Sequence, residues 1–268
     1  MNSIIYAVVV LGVLGAIFGA ILAFASKIFH VEVDPKQEQV RACLAGANCG
    51  GCGFPGCDGY ASAVASGEAP TNKCVAAGPE AAEKIAEIMG VSAGDAVKMV
   101  AFVPCSGAEG VALKRFNYNG PQNCQAAMLF GGKSNKDCRF ACIGLGNCVN
   151  ACQFGAMSIV NGVAKVDREK CVGCGSCADV CPKKLVKLIP YDQPVMVACN
   201  SMDKGAQLNK ICDAGCIGCM KCQKECPSDA IVVKDNLARI DVSKCVHCGH
   251  CADICPRHII KFQREFHY

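Results

Sequence analysis

Apolar positions fall along this chain in two regimes. Ile4 to Ala25 is a continuous run of 22 residues without a charge. It predicts one long helix, since about 20 apolar residues span a hydrocarbon core of about 30 Å. Beyond it the apolar residues gather in short runs. Val100–Val103, Val163–Val166, Val195–Ala198 and Leu237–Ile240 predict short strands. The Ala-rich segments Asp58–Ser66 and Pro79–Met89 predict helices, the second with Pro79 in its first turn and Glu80 and Glu83 near its positive end.

Gly15 and Gly19 give the long helix a small-residue face suited to packing against another membrane helix. Ala23-Phe24-Ala25 resembles a signal-peptidase site, but no basic residue precedes the run, and the run is too long for a signal-peptide core. The expectation is an uncleaved, single-pass anchor in the plasma (inner) membrane. Lys27, Lys36 and Arg41 follow the span with nothing basic before it, which orients the C-terminal body toward the cytoplasm.

Composition changes the picture through one residue type. The chain has 25 cysteines in 268 residues. Cys138, Cys142, Cys148, Cys152, Cys171, Cys174, Cys177 and Cys181 recur 74 residues later as Cys212, Cys216, Cys222, Cys226, Cys245, Cys248, Cys251 and Cys255. Each copy ends in the same ladder: Cys171-x2-Cys174-x2-Cys177-x3-Cys181-Pro182, then Cys245-x2-Cys248-x2-Cys251-x3-Cys255-Pro256. Bacterial ferredoxins hold [4Fe–4S] clusters with this spacing, the fourth cysteine ligating the neighbouring cluster. Zinc favours two separated C-x2-C pairs, and three cysteines within seven residues suit one metal centre better than three disulfides. Free thiols point to a reducing compartment.

The formal charge of +4 counts every cysteine as neutral. With five [4Fe–4S]2+ cores, each near −2 with its four thiolates, the loaded chain would sit near −6. The basic apo-sequence is therefore no argument for nucleic acid, and no aromatic-interleaved basic stretch supports one.

Cys49-Gly-Gly-Cys52-Gly-Phe-Pro-Gly-Cys57, with Cys74 downstream, forms a separate four-thiolate set in a glycine-rich loop. Cys43 is left as a spare thiol. An anchor helix, then Asn48-Cys-Gly-Gly-Cys-Gly-Phe-Pro-Gly-Cys-Asp-Gly-Tyr60, then paired ferredoxin-type ladders resembles the B subunit of the Rnf complex, an ion-translocating ferredoxin:NAD+ oxidoreductase, in its multi-ferredoxin form. The resemblance covers essentially the whole chain. It implies a membrane complex that couples electron flow to sodium or proton transport. In it, this subunit would accept electrons from reduced ferredoxin and pass them to membrane subunits and to flavin- and NAD-binding subunits. A related complex that reduces a redox-sensing transcription factor is the alternative. A structural metal scaffold, which would carry zinc, is a third.

In the second copy, Cys216, Cys219, Cys222 and Cys255 form one set, and Cys226, Cys245, Cys248 and Cys251 the other. The first copy has Leu145 where Cys219 has its equivalent. Cys138 is the expected substitute, giving Cys138, Cys142, Cys148 and Cys181, beside Cys152, Cys171, Cys174 and Cys177. A three-iron core or a vacant site is the alternative. Gln153 stands where the other ladders have proline.

Five [4Fe–4S] clusters use 20 cysteines and leave Cys43, Cys105, Cys124, Cys199 and Cys212. Cys105 and Cys199 read as core thiols, with a sixth cluster as the alternative. His247 and His250, inside the last ladder, are solvent-facing or tune the sulfurs.

No G-x-G-x-x-G follows a strand to open a helix, and no phosphate-binding loop occurs. Hydride chemistry at NAD therefore needs a flavin on another subunit, and no catalytic residue is assigned to this chain. The expected fold is α+β: a transmembrane anchor (1–30), a small helical [4Fe–4S] domain (31–100), and two tandem ferredoxin-like modules (101–190 and 191–268).

Overall fold

The computed structural model describes residues 2–28, 34–94, 97–129 and 135–262. Helix α1 (Asn2–Ile28) contains the uncharged run. The stretch Val8–Lys27 is long and apolar enough to cross a membrane, and none of it is buried against the rest of the chain. The apolar side chains of α1 described from Val8 to Phe24 lie open, a surface that water would penalise and lipid would cover.

Three helices follow. α2 (Pro35–Cys43) starts at Asp34, whose carboxylate accepts the Lys36 N–H at 2.8 Å, with Pro35 pre-set for the first turn. α3 (Gly56–Ala65) and α4 (Gly78–Met89) overlap the two helices expected from sequence. They close on a small core of Val40, Tyr60, Ala61, Val64 and Ile85, all almost fully buried.

Each ferredoxin-type module has one topology. Its first and last strands pair antiparallel, and a two-residue hairpin lies between them. In the first module, β1 (Met99–Phe102) pairs with β4 (Lys187–Pro190), placing Val100 opposite Ile189. β2 (Met157–Val160) pairs with β3 (Val163–Val166) across Asn161-Gly162. Both turn residues have positive φ, the conformation that matches the strand twist. In the second module, β5 (Val195–Val197) pairs with β8 (Ile260–Phe262), and β6 (Ile231–Lys234) with β7 (Leu237–Ile240) across Asp235-Asn236.

One-turn helices follow the cysteine loops: α6 (Asn147–Asn150) and α7 (Ser176–Asp179) in the first module, α9 (Lys221–Lys224) and α10 (His250–Asp253) in the second. α5 (Cys124–Leu129) and α8 (Gly205–Leu208) lie in the segments leading into each module's first ladder. The cores are unusual in substance. Beside Val100, Val163 and Leu185, the first module buries Cys105, Cys138, Cys148, Cys171 and Cys177.

The N-terminal domain touches the first module through its cysteine loop. A Cβ added to Gly51 would stand 2.5 Å from the carbonyl oxygen of Cys174. Backbone meets backbone there, and only glycine leaves room.

Candidate iron–sulfur centres

The loop between α2 and α3 folds around a small cavity lined by Cys49, Cys52, Cys57 and Cys74. Asn48 fixes one side, its side-chain oxygen accepting the Cys57 N–H at 2.8 Å. Tyr60 fixes the other: its hydroxyl donates to Pro70 O at 2.7 Å and accepts the Lys73 N–H at 3.1 Å, next to Cys74. Burial pushes the Cys74 thiol up, and Cys52 and Cys57 add to that push, while the N–H groups of Ala77 and Ala45 oppose it. Cys43 packs on the neighbouring core and is not among the residues lining this cavity.

In the second module Cys216, Cys219, Cys222 and Cys255 line a small cavity. Burial pushes the Cys222 thiol up to about 12, reinforced by Cys216, Cys219 and Cys255. The other ladder gathers likewise: burial raises Cys251 to about 11, and Cys245, Cys248 and Cys226 raise it further.

The first module departs from the sequence expectation at one ligand. Cys142, Cys148 and Cys181 line a small cavity, and the fourth sulfur there is that of Cys124, not Cys138. Burial pushes Cys148 up to about 12, followed by Cys142, Cys124, Cys177 and Cys181. This is the pattern around Cys222, with Cys124 standing in for Cys219. The cause is local. Asn123 caps α5 by accepting the N–H groups of Gln125 and Ala126, which sets Cys124 at the start of the helix, facing the ladder. Leu145 turns onto Cys124, Ala127 and Ile143 as an apolar contact. Sequence spacing misses Cys124 because it lies upstream of the repeat. The Asn123–Cys124 pair, readable as a helix start, is the available signal.

Cys152, Cys171, Cys174 and Cys177 gather as the remaining set. Burial drives Cys177 to about 12, and the other three sulfurs add to it. Gln153 leaves the local turn intact: Ala156 N–H donates to Cys152 Sγ at 3.3 Å, as Ala230 N–H does to Cys226 Sγ at 3.3 Å. His247 and His250 are solvent-exposed, the latter 4.0 Å from Glu225.

These sets suit iron–sulfur clusters in three ways. The thiols that burial and neighbouring sulfurs push up, Cys74, Cys142, Cys148, Cys177, Cys222 and Cys251, need a cation to become thiolates. Backbone N–H groups already point at sulfur, from Ala101 to Cys171 (3.3 Å), Ala164 to Cys142 (3.5 Å), Leu185 to Cys181 (3.4 Å) and Ala238 to Cys216 (3.5 Å). Such donors set the potential of a bound cluster. The buried Nε of Arg257, at the Cys216 cavity, has no hydrogen-bond partner among the described residues and is a donor in reserve. Thiolates around one zinc, at about 2.3 Å each, would touch one another. Among the described residues no three His, Cys, Asp or Glu side chains gather that closely.

Comparison with known proteins agrees in kind. Residues 44–76 match a family described as a putative Fe-S cluster, and residues 141–185 and 215–259 each match a 4Fe-4S dicluster domain. The fold and sites thus define an iron–sulfur electron-transfer protein with tandem dicluster domains.

The B subunit of the Na(+)-translocating ferredoxin:NAD(+) oxidoreductase complex of Acetobacterium woodii is 45% identical over 99% of this chain and 80% of its own length. The B subunit of the proton-translocating ferredoxin:NAD(+) oxidoreductase complex of Clostridium ljungdahlii is 43% identical over 97% of this chain and 93% of its own length. The B subunit of an ion-translocating oxidoreductase complex of Methanosarcina acetivorans is 40% identical over 98% of this chain and 100% of its own length. The chain belongs to this family, the B subunits of Rnf-type membrane complexes.

Proposed function

We propose that this chain takes electrons from reduced ferredoxin and relays them to flavin- and NAD-binding partners of an ion-translocating complex. The supporting observation is the gathering of 20 of its 25 cysteines into five four-sulfur sets. The sets are Cys49/Cys52/Cys57/Cys74, Cys124/Cys142/Cys148/Cys181, Cys152/Cys171/Cys174/Cys177, Cys216/Cys219/Cys222/Cys255 and Cys226/Cys245/Cys248/Cys251. Each [4Fe–4S] cluster, when bound, supplies one-electron transfer. The protein's part is to hold the sulfurs, direct N–H groups at them and keep water out.

Exposure favours an entry face. Cys219 and Cys248, both in the second module, are the exposed thiols among the described residues. Met220 and Val246 beside them are open, and Lys221, Lys224 and Lys244 surround them with positive charge suited to an acidic ferredoxin. At the other end, the Gly51–Cys174 contact joins the first module to the N-terminal domain next to the anchor. The body lies on the cytoplasmic face, held by one pass of α1 and bounded as a cluster domain (31–100) and two modules (101–190, 191–268).

The test is a redox titration of anaerobically reconstituted protein followed by EPR, with rapid mixing against reduced ferredoxin. Low-potential cubane signals that ferredoxin reduces are expected. Centres all titrating well above the ferredoxin range, or zinc in place of iron, would overturn the reading.

A further inference from the structure

Four cysteines outside those five sets converge at the seam between the two modules. Cys105, Cys138, Cys199 and Cys212 line one cavity, equal in size to the one lined by Cys216, Cys219, Cys222 and Cys255. Cys105, Cys138 and Cys212 are buried, and Cys199 is partly so.

Each module supplies two of the four, and it holds one of them in the same way. Cys142 N–H donates to Cys105 Sγ at 3.4 Å, and its repeat partner Cys216 N–H donates to Cys199 Sγ at 3.3 Å. Ser201 N–H donates to Cys199 Sγ at 3.4 Å, and Ser201 lines the same cavity as Cys138.

The cations around the seam repeat too. Lys183 donates to Arg139 O beside Cys138, and its repeat partner Arg257 donates to Cys212 O at 2.5 Å. Arg139 crosses the seam to pair with buried Asp203 at 3.1 Å. Buried core thiols need no such provision. Four sulfurs, three buried and one half-buried, in a cavity matching a cluster cavity nearby and with N–H donors aimed at Cys105 and Cys199, repeat the arrangement described for the ladders.

We propose that Cys105, Cys138, Cys199 and Cys212 ligate a sixth [4Fe–4S] cluster, shared between the modules with two thiolates from each. This rests on the iron–sulfur reading above and adds a site that neither family match assigns: residues 44–76 carry one cluster motif and the two dicluster matches begin at 141 and 215, leaving Cys105, Cys138, Cys199 and Cys212 outside them. The seam site binds the modules into one body, because neither can complete it alone. Each thiol gives up its proton as iron binds.

The test counts clusters in the full chain, reconstituted anaerobically, by native mass spectrometry together with iron, sulfide and zinc analysis. Six clusters, at about 24 iron and 24 sulfide per chain, are expected. The double variant Cys105→Ser/Cys199→Ser, which removes one ligand from each module, is expected to drop to about 20 iron with the other signals unchanged. Cys43→Ser is expected to stay at about 24.

Five clusters in the unaltered protein would overturn the sixth site while leaving the relay intact, as would one zinc beside five clusters. Iron near zero would overturn the relay reading itself and the seam site with it. Since the wild-type count decides by itself, misfolding of the double variant does not blunt the test.

Discussion

The side-chain oxygen of Asn147 accepts the backbone N–H of Cys124 at 2.7 Å, across 23 residues of sequence. Asn147 immediately precedes Cys148, so one hydrogen bond locks the recruited sulfur to the ladder it completes. A half-buried bond of this kind contributes about 0.5–1.5 kcal/mol net, and leaving its donor unpaired costs about 1–3 kcal/mol at most.

Cys124→Ala is therefore expected to remove one cluster or leave a three-iron core. Adding Leu145→Cys to that variant restores the ladder of the second module and is expected to restore the four-iron spectrum. Asn147→Ala keeps all four sulfurs but loosens one, so its cluster should be lost faster on mild oxidation. EPR and iron analysis of the three variants check this. Full loading of Cys124→Ala alone would refute the recruitment.

Gly51 is expected to govern communication between the N-terminal domain and the first module. Gly51→Ala would drive a methyl against Cys174 O, at 2.5 Å before relaxation, and so part the two loops. Iron content should stay unchanged while reduction of the N-terminal centre by ferredoxin slows several-fold. Rapid-freeze EPR separates that centre from the rest, and an unchanged rate would show that electrons do not cross at this contact.

Gly144 carries a purely structural expectation. It has φ +84, and a Cβ there would meet Gly162 O at 2.3 Å, so Gly144→Ala faces both left-handed strain and a clash. The strain alone costs about 1–2 kcal/mol. The clash presses the loop between Cys142 and Cys148 away from the hairpin turn. A fall in the denaturation midpoint of the loaded protein and partial loss of the Cys142 cluster are expected.

Iron removal should unfold both modules. Their cores count buried cysteines among their main packing residues, and the paired strands are only three or four residues long. Chelation under anaerobic conditions is expected to abolish the β signal in circular dichroism while α1 stays helical in micelles. Persistence of the β signal would mean that the strands stand without metal.

The sequence disclosed the repeat, the short strands and the ladders because each is a local pattern: fixed spacing for the sulfurs, brief apolar runs for the strands. Hairpin strand β2 is interrupted by Ser158, though Asn161-Gly162 is a turn signal, whereas β6 lies on the apolar run Ile231–Val233. Cys124 was illegible as a partner of its ladder, and Cys105 and Cys199 were legible only as leftover thiols, for another reason. Each lies outside the repeat and is delivered by tertiary structure, Cys124 by a capped helix, Cys105 and Cys199 by segments that leave β1 and β5 and meet at the seam. Spacing finds ligands that one loop carries. It does not find those that two elements bring together.

The pairing of β1 with β4, and of β5 with β8, has a consequence for how such a protein grows. In each module the chain enters and leaves along the same ribbon, so its two ends sit side by side. A unit with adjacent ends can be spliced in or taken out without moving its neighbours. Only the stretch Tyr191–Pro194 joins one ribbon to the next here. Relay proteins of different reach can thus arise by counting units, as beads are added to a string.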